Sequence, residues 1–347
     1  MTGKPFDAST IHQWDFSVLD IDGFNEDGFM VEVGKACFAE HDLIRSLGLS
    51  EERVERFLST LDSKYAKTHP YHGAAHAADV AINVNYLLRS GFARFFSKVE
   101  VLVLCVAALG HDLGHFALNN MFLINSNHEL VQKFGATSSL EHYHLSLLKE
   151  LLEDETCYFL DSLSTPDRAT FNTLVTELVL ATDMSQHRNY FTKFENWYKS
   201  AKSEYTGPGS TGDDQYHKWV EAKIPTLRPE DRSLLLAMVL KCADLANVVK
   251  PLKQAEGWAE RIMMEFFAQG EREVSLSLPV TQPSRPDDIA YLLAKHQLGF
   301  LENVVGPLYT AMMELADKDS RATVLSHIRQ NGEAWRHKAS LEPPGNS

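Results

Sequence analysis

Apolar residues recur three and four positions apart along most of this 347-residue chain, and no series of apolar–polar alternations appears. That spacing puts an apolar stripe on one face of an α-helix. After Ser50, an N-cap followed by Glu51 and Glu52, the stripe runs through Val54, Phe57, Leu58, Leu61 and Tyr65. Thr165 reads as the cap of a second helix, with Pro166 in its first position and Phe171, Leu174, Val175 and Leu178 as its stripe. Residues 234–247 and 258–267 follow the same rule. The one alternating stretch, residues 274–278, is too short to build a sheet. The expected fold class is all-α.

Two segments interrupt the helical pattern. Residues 206–214 form a Gly-rich acidic loop, and residues 279–288 carry three prolines that take the chain off a helical path. Neither marks a domain boundary, so one compact helical domain is expected. The last six residues, EPPGNS, read as part of a disordered tail.

Composition narrows the partners. With 33 basic and 47 acidic side chains the net charge is −14, which argues against nucleic acid or an anionic membrane surface as the main partner. The longest uncharged apolar run, residues 101–109, falls far short of the ~20 residues of a membrane span. The first ten residues lack the basic and apolar regions of a secretory signal. Four scattered cysteines, with no C-x-x-C pair, suit a reducing cytosol and no thiolate metal site. A cytoplasmic location follows as an expectation.

Histidine is the informative residue: eight of the 15 fall between His69 and His144. His72 and His76 lie four apart, on one helical face. His111 and Asp112 are adjacent, with His115 four residues after His111, and Gly110 and Gly114 break the helix around them. Asp244 sits in an otherwise apolar helix, where an unpaired carboxylate is costly. Each feature alone has an ordinary explanation: a surface or core histidine pair, or a locally paired aspartate. Together His76, His111, Asp112 and Asp244 make a nitrogen–oxygen donor set suited to Zn, Mn, Fe or Mg. A carboxylate such as Asp112 has two oxygens and is able to bridge two metals about 3.5–4 Å apart, the arrangement that clamps a phosphoryl group. This H…HD…D pattern indicates a metal phosphohydrolase of the HD type and does not name a substrate.

The motifs go further. Y-H-x-x-x-H-A-x-D-V at residues 71–80, H-D-x-x-H-x-x-x-x-N-x-F at 111–122, FLINSN at 122–127, LATDMSQH at 180–187, CADLAN at 242–247, RIMMEFFAQGEREV at 261–274 and HQLGFLENVVGPL at 296–308 occur in one order. On these the chain resembles the catalytic domain of class I cyclic nucleotide phosphodiesterases, over roughly residues 14–335. The resemblance implies about sixteen helices around a binuclear metal pocket in a catalytic domain at 14–338, after an extension at 1–13 and before a tail at 339–347. It implies Zn2+ held by His76, His111, Asp112 and Asp244, and a second metal, Mg2+ or Mn2+, reached by Asp112. His115 and Glu141 are implied to orient the surrounding water. The implied reaction opens the 3′,5′-cyclic phosphate to the 5′-monophosphate by a hydroxide bridging the metals, with His72 as general acid and Glu141 as one candidate to keep it protonated.

Base recognition is implied for Gln297, whose amide both donates and accepts, with Phe300 and Ile262 sandwiching the base. Ordinary core packing accounts for Phe300 and Ile262 without the resemblance, and a solvated helix position accounts for Gln297. Tyr71, Met184 and Asn247 match further pocket-lining positions. Asn247 favours cyclic AMP, with cyclic GMP as a second candidate. The sequence departs from the family pattern at Gly73 (usually Asn), expected to loosen the helix start, at Tyr143 (usually His), and at Gly114, Phe116 and Ala117. Family members often carry N-terminal regulatory domains; none is visible, so the chain reads as a catalytic fragment. A nucleotidase acting on another phosphate ester and a non-catalytic nucleotide sensor remain as alternatives. The Gln297–Phe300 pair and CADLAN favour the phosphodiesterase, and an intact His72 argues against a sensor.

Overall fold

In the computed structural model, which describes residues 4–205, 227–286 and 288–341, the helical stripes assemble around one long apolar core. The α-helices are, in order, α1 (Phe29–Glu40), α2 (Leu43–Leu47), α3 (Glu51–Lys64), α4 (Ala74–Arg89), α5 (Lys98–Gly110), α6 (Asn120–Asn125), α7 (Glu129–Phe134), α8 (Ser139–Glu153), α9 (Thr165–Ala181), α10 (His187–Tyr205), α11 (Pro229–Asp244), α12 (Leu252–Ser275), α13 (Ile289–Phe300), α14 (Gly306–Met312) and α15 (Lys318–Ser340). Short 3₁₀ turns join several of them, and the described residues contain no strand beyond an isolated bridge between Lys4 and Ile21.

Helix α5 is the axis of the fold. Its run VLVLCVAAL is buried on every side, as expected of a helix without a polar face. Ser97 and Glu100 close a reciprocal capping box at its start. Helices α4, α5 and α11 pack against one another, with α9 and α1 completing the layer around them. The consequence for function is geometric. The start of α4, the end of α5 and the end of α11 carry His76, His111–Asp112 and Asp244, so packing the three helices gathers those side chains.

Several local expectations hold. Ser50 Oγ accepts from the Arg53 amide at the start of α3, and Phe171, Leu174, Val175 and Leu178 are all buried. The cap of α9 is corrected: Thr165 is the first helical residue, and Ser164 Oγ accepts from the Asp167 amide instead. Ser164 has the extended backbone a cap needs, and its hydroxyl donates back to the Asp167 carboxylate. Residues 274–278 finish α12 and turn, with Ser277 left-handed, and do not extend as a strand. The Pro-rich segment after residue 278 does leave the helical path. The loop expected at 206–214 lies outside the described residues, as does EPPGNS.

The N-terminal segment packs on this body. Phe6 meets Phe16 and Phe29 edge-on, and the buried Lys250 ammonium donates to the Trp14 carbonyl and lies 4.3 Å from the Trp14 ring centre. Helices α12 and α13 form the opposite wall, and α13 is held from behind by α15. A π-turn, Leu301–Val305, follows Phe300 directly. Pro307 lies just beyond it; a proline offers no amide hydrogen and crowds the carbonyl four residues earlier, which accounts for the widened turn.

Candidate active site

Gly110 ends α5, and His111 is the first residue past it. His111 Nδ1 donates to the Ala108 carbonyl at 2.9 Å, which fixes the ring and turns Nε2 toward the two carboxylates. That Nε2 is buried and bonds to no protein donor. It stands 3.2 Å from Asp112 Oδ2 and 3.4 Å from Asp244 Oδ1. His76 Nε2 lies 3.1 Å from Asp244 Oδ1 and 3.7 Å from Asp112 Oδ2. His76, His111 and Asp112 thus each bring one donor atom within 4.8 Å of the other two, and Asp244 adjoins that group through both imidazoles. An unpartnered buried nitrogen facing two carboxylates is unfavourable by itself and well matched to a divalent cation.

Electrostatics follows the geometry. Burial disfavours charge on His111, but Asp112 and Asp244 outweigh it and hold the imidazole well above the ordinary histidine range. Burial likewise opposes ionisation of Asp112 and Asp244; the facing histidines reverse it and keep both carboxyls well below the usual range. Gly114 has φ +76°, and a Cβ there would stand 2.4 Å from Leu147 Cδ1. Glycine at this point lets the chain turn sharply between Asp112 and His115.

His72 precedes α4. Its Nδ1 is 2.5 Å from Glu265 Oε2 on α12, while Glu265 Oε1 accepts from the Tyr71 and His72 amides at 2.8 and 2.9 Å. Burial pulls the His72 pKa down, but Glu265 overcomes it, and with Asp112 and Asp244 the pKa rises to about 9. The carboxylate that keeps His72 protonated is thus Glu265. Glu141, the sequence candidate, is instead bonded by Asn120 Nδ2 at 3.0 Å, and burial together with Asp183 raises it to about 7. A carboxyl that is itself hard to ionise is a poor partner for a cation. Glu265 was missed because nothing in RIMMEFF distinguishes it from a solvated helix position; only the crossing of α12 over the start of α4 reveals it.

His115 stacks on His72, with ring centres 4.0 Å apart and planes at 19°. Its Nδ1 accepts from the Ala117 amide, and burial, reinforced by the neighbouring His72 charge, holds its pKa well below the ordinary value, so it is neutral. His144 also belongs to the site and was not singled out from sequence. It is buried, donates to the Leu113 carbonyl at 2.8 Å and places Nε2 4.0 Å from Asp112 Oδ1. Tyr143, in place of the family's usual histidine, turns toward Phe116. Gly73 caps α4 without a side-chain hydrogen bond, and a Cβ there would sit 2.9 Å from the Ala66 carbonyl oxygen, so glycine allows a close approach.

A cavity of about 490 Å³ opens onto these groups. His72, Asp112 and Asp244 line one end, and Gln297, Phe300 and Ile262 line the α12–α13 wall. Gln297 is buried at 4% exposure, whereas Met184 stands 40% exposed at the rim. Asn247 Nδ2 donates to the Tyr71 hydroxyl at 2.6 Å, and the Tyr71 ring lies 4.5 Å from the His76 ring. Glu141 and His115 line the same cavity, so every residue singled out from sequence lies in it or, for His76 and His111, directly behind it.

Comparison with known proteins decides the family. The family described as 3′5′-cyclic nucleotide phosphodiesterase matches residues 71–327, most of the chain and all of the site. The chain belongs to the cyclic nucleotide phosphodiesterase family. Among curated relatives, it is 30% identical to mouse 3′,5′-cyclic-AMP phosphodiesterase 4C over 334 residues, 96% of this chain and 46% of that one. It is 29% identical to mouse high affinity cAMP-specific and IBMX-insensitive 3′,5′-cyclic phosphodiesterase 8A, over 96% of this chain and 40% of that one. The chain thus spans about half the length of the curated relatives it matches. Among solved structures, the phosphodiesterase domain of the RhoPDE fusion protein from the choanoflagellate Salpingoeca rosetta superposes with a TM-score of 0.80 at 28% identity, covering 96% of this chain and 98% of that one. The all-helical phosphodiesterase fold expected from the motifs is the fold observed. Among the described residues, no helix is long and apolar enough to cross a membrane.

Proposed function

We propose that the chain hydrolyses the 3′,5′-cyclic phosphate of cyclic AMP to the 5′-monophosphate, with cyclic GMP as a poorer second substrate. One observation carries this reading: a single cavity joins a protonated histidine, a two-nitrogen, two-carboxylate donor set and a buried glutamine beside a phenylalanine. A nucleotidase has no need of the last pair, and a sensor has no need of the first.

His76, His111, Asp112 and Asp244 would hold Zn2+, and the second oxygen of Asp112 is offered to Mg2+ or Mn2+. Such metals supply Lewis-acid neutralisation of phosphoryl charge and activation of water. The chain's own residues do the rest. His72 gives its proton to O3′ as the P–O3′ bond breaks and a hydroxide derived from water joins phosphorus, the water's other proton passing to solvent, and Glu265 holds the imidazole ready and oriented. Neutral His115, together with Glu141, lines the same cavity and would orient water there. Phe300 and Ile262 sandwich the base and Gln297 pairs with its edge. Because Tyr71 engages the Asn247 amide nitrogen, the Asn247 oxygen is left to accept a hydrogen bond, which suits the adenine amine and not the guanine carbonyl. Met184 closes the rim.

The catalytic unit is taken as residues 14–338, and a cytosolic setting suits four cysteines that are all free and buried. The test is product identity. Because His72 protonates O3′, chromatography of the reaction should find only the 5′-monophosphate; a 3′-monophosphate product contradicts the assignment of His72.

A further inference from the structure

Next to Gln297 in the chain stands His296, the first residue of the HQLGF motif and one to which neither the sequence reading nor the mechanism gives a role. It lines the same cavity one turn before Phe300, with ring centres 6.4 Å apart and planes at 27°. On its other side the Phe266 ring meets it edge-on at 5.6 Å and 64°. Phe266 lies one turn beyond Ile262 on α12, so the base clamp Ile262–Phe300 is followed outward by a second rung, Phe266–His296.

The imidazole is packed between aromatic rings yet makes no hydrogen bond or ion pair among the described residues, and the residue remains exposed at the cavity mouth. Its packing desolvates the ring and lowers its pKa, so it is neutral and presents one donor and one acceptor. Gln297, by contrast, is buried deeper on the neighbouring face of the same helix.

We propose that His296 is a second base-reading side chain, hydrogen-bonding the outer edge of the purine whose inner edge meets Gln297. The inference rests on the nucleotide reading of the cavity and adds a specificity determinant to it. Adenine and guanine present different donor and acceptor patterns along their edges, so a fixed imidazole meets them differently. His296 stands on α13 beside Gln297, with the base-facing side chains and apart from the groups that meet the phosphate, so its contact is made equally in the ground state and the transition state; it acts on KM and leaves kcat in place.

The test is steady-state hydrolysis of cyclic AMP and cyclic GMP by the full chain, its His296→Ala and His296→Phe variants, with thermal unfolding of each. His296→Ala should raise KM for cyclic AMP about 3- to 10-fold, the scale of one hydrogen bond, with kcat within about twofold. His296→Phe keeps the packing against Phe266 and loses the nitrogens. Its KM should stay raised, and the ratio of the two substrates' KM values should move at least about threefold from the parent. Wild-type KM for both substrates in His296→Phe would overturn the inference and leave an apolar shelf. Equal KM changes for both nucleotides, or a fall in kcat that tracks a lowered Tm, would overturn it too. A parent protein that turns over neither nucleotide overturns the underlying reading as well; active parent and indifferent variants overturn this inference alone.

Discussion

His72 Nδ1 and Glu265 Oε2 lie 2.5 Å apart across 193 residues of sequence, and Glu265 also takes the His72 amide on its other oxygen. The carboxylate therefore fixes the position of the imidazole and its charge together. It ties the segment before α4 to the middle of α12, at the cavity that both His72 and Glu265 line.

Removing that carboxylate has a signed consequence for pH. Glu265 raises the His72 pKa, and the acid works only while protonated. In Glu265→Gln the basic limb of the kcat/KM profile should move to lower pH, with activity lost earlier on the alkaline side. A profile of unchanged shape and lower height would mean that Glu265 acts on packing alone.

His72→Ala removes the proposed proton donor itself. The expected loss in kcat is about 10²- to 10⁴-fold, with KM little changed, the usual scale for a general acid. The measurement is steady-state kinetics with cyclic AMP, alongside thermal unfolding to show that the fold survives.

Metal binding should release protons. The two carboxylates hold His111 above its ordinary range, so a cation taking Nε2 competes with a proton there. Zinc affinity should rise with pH through the neutral range, and calorimetry in buffers of different ionisation enthalpy should report proton release. No buffer dependence would contradict the ligand role of His111.

Gly114→Ala combines a left-handed backbone with a side chain directed at Leu147. Strain of this kind costs about 1–3 kcal/mol, so Tm should fall, and the shifted Asp112–His115 turn should weaken metal retention. Denaturant unfolding and metal stoichiometry check the two halves separately.

Much of this site was legible in the sequence because the residues of its donor set fall at helix ends marked by ordinary signals. His76 lies in the first turn after Gly73, His111 and Asp112 follow Gly110, and Asp244 interrupts an apolar stripe. What stayed hidden depended on tertiary crossing. Glu265 looks like any charged helical residue until α12 meets α4, and His144 looks exposed until α8 packs beneath Asp112. Glu141 was one candidate partner of His72, and the structure brings Glu265 there instead for the same reason: linear spacing cannot say which of two carboxylates a fold brings within reach.

Tyr71→Phe tests base selection. Loss of the hydroxyl frees the Asn247 amide to rotate, so the preference for cyclic AMP over cyclic GMP should shrink by about 2- to 10-fold, one neutral hydrogen bond. Competition between the two nucleotides in one reaction measures the ratio directly.

The central claim is metal-dependent cyclic nucleotide hydrolysis at the His76–His111–Asp112–Asp244 cluster. The most direct measurement is release of 5′-monophosphate from cyclic AMP and cyclic GMP by metal-replete protein, by chelated protein and by Asp244→Ala. The account predicts turnover that favours cyclic AMP, disappears on chelation, returns with added Zn2+ and Mg2+, and stays absent in the variant. Full activity in Asp244→Ala, or no turnover of either nucleotide by the metal-replete protein, would contradict it.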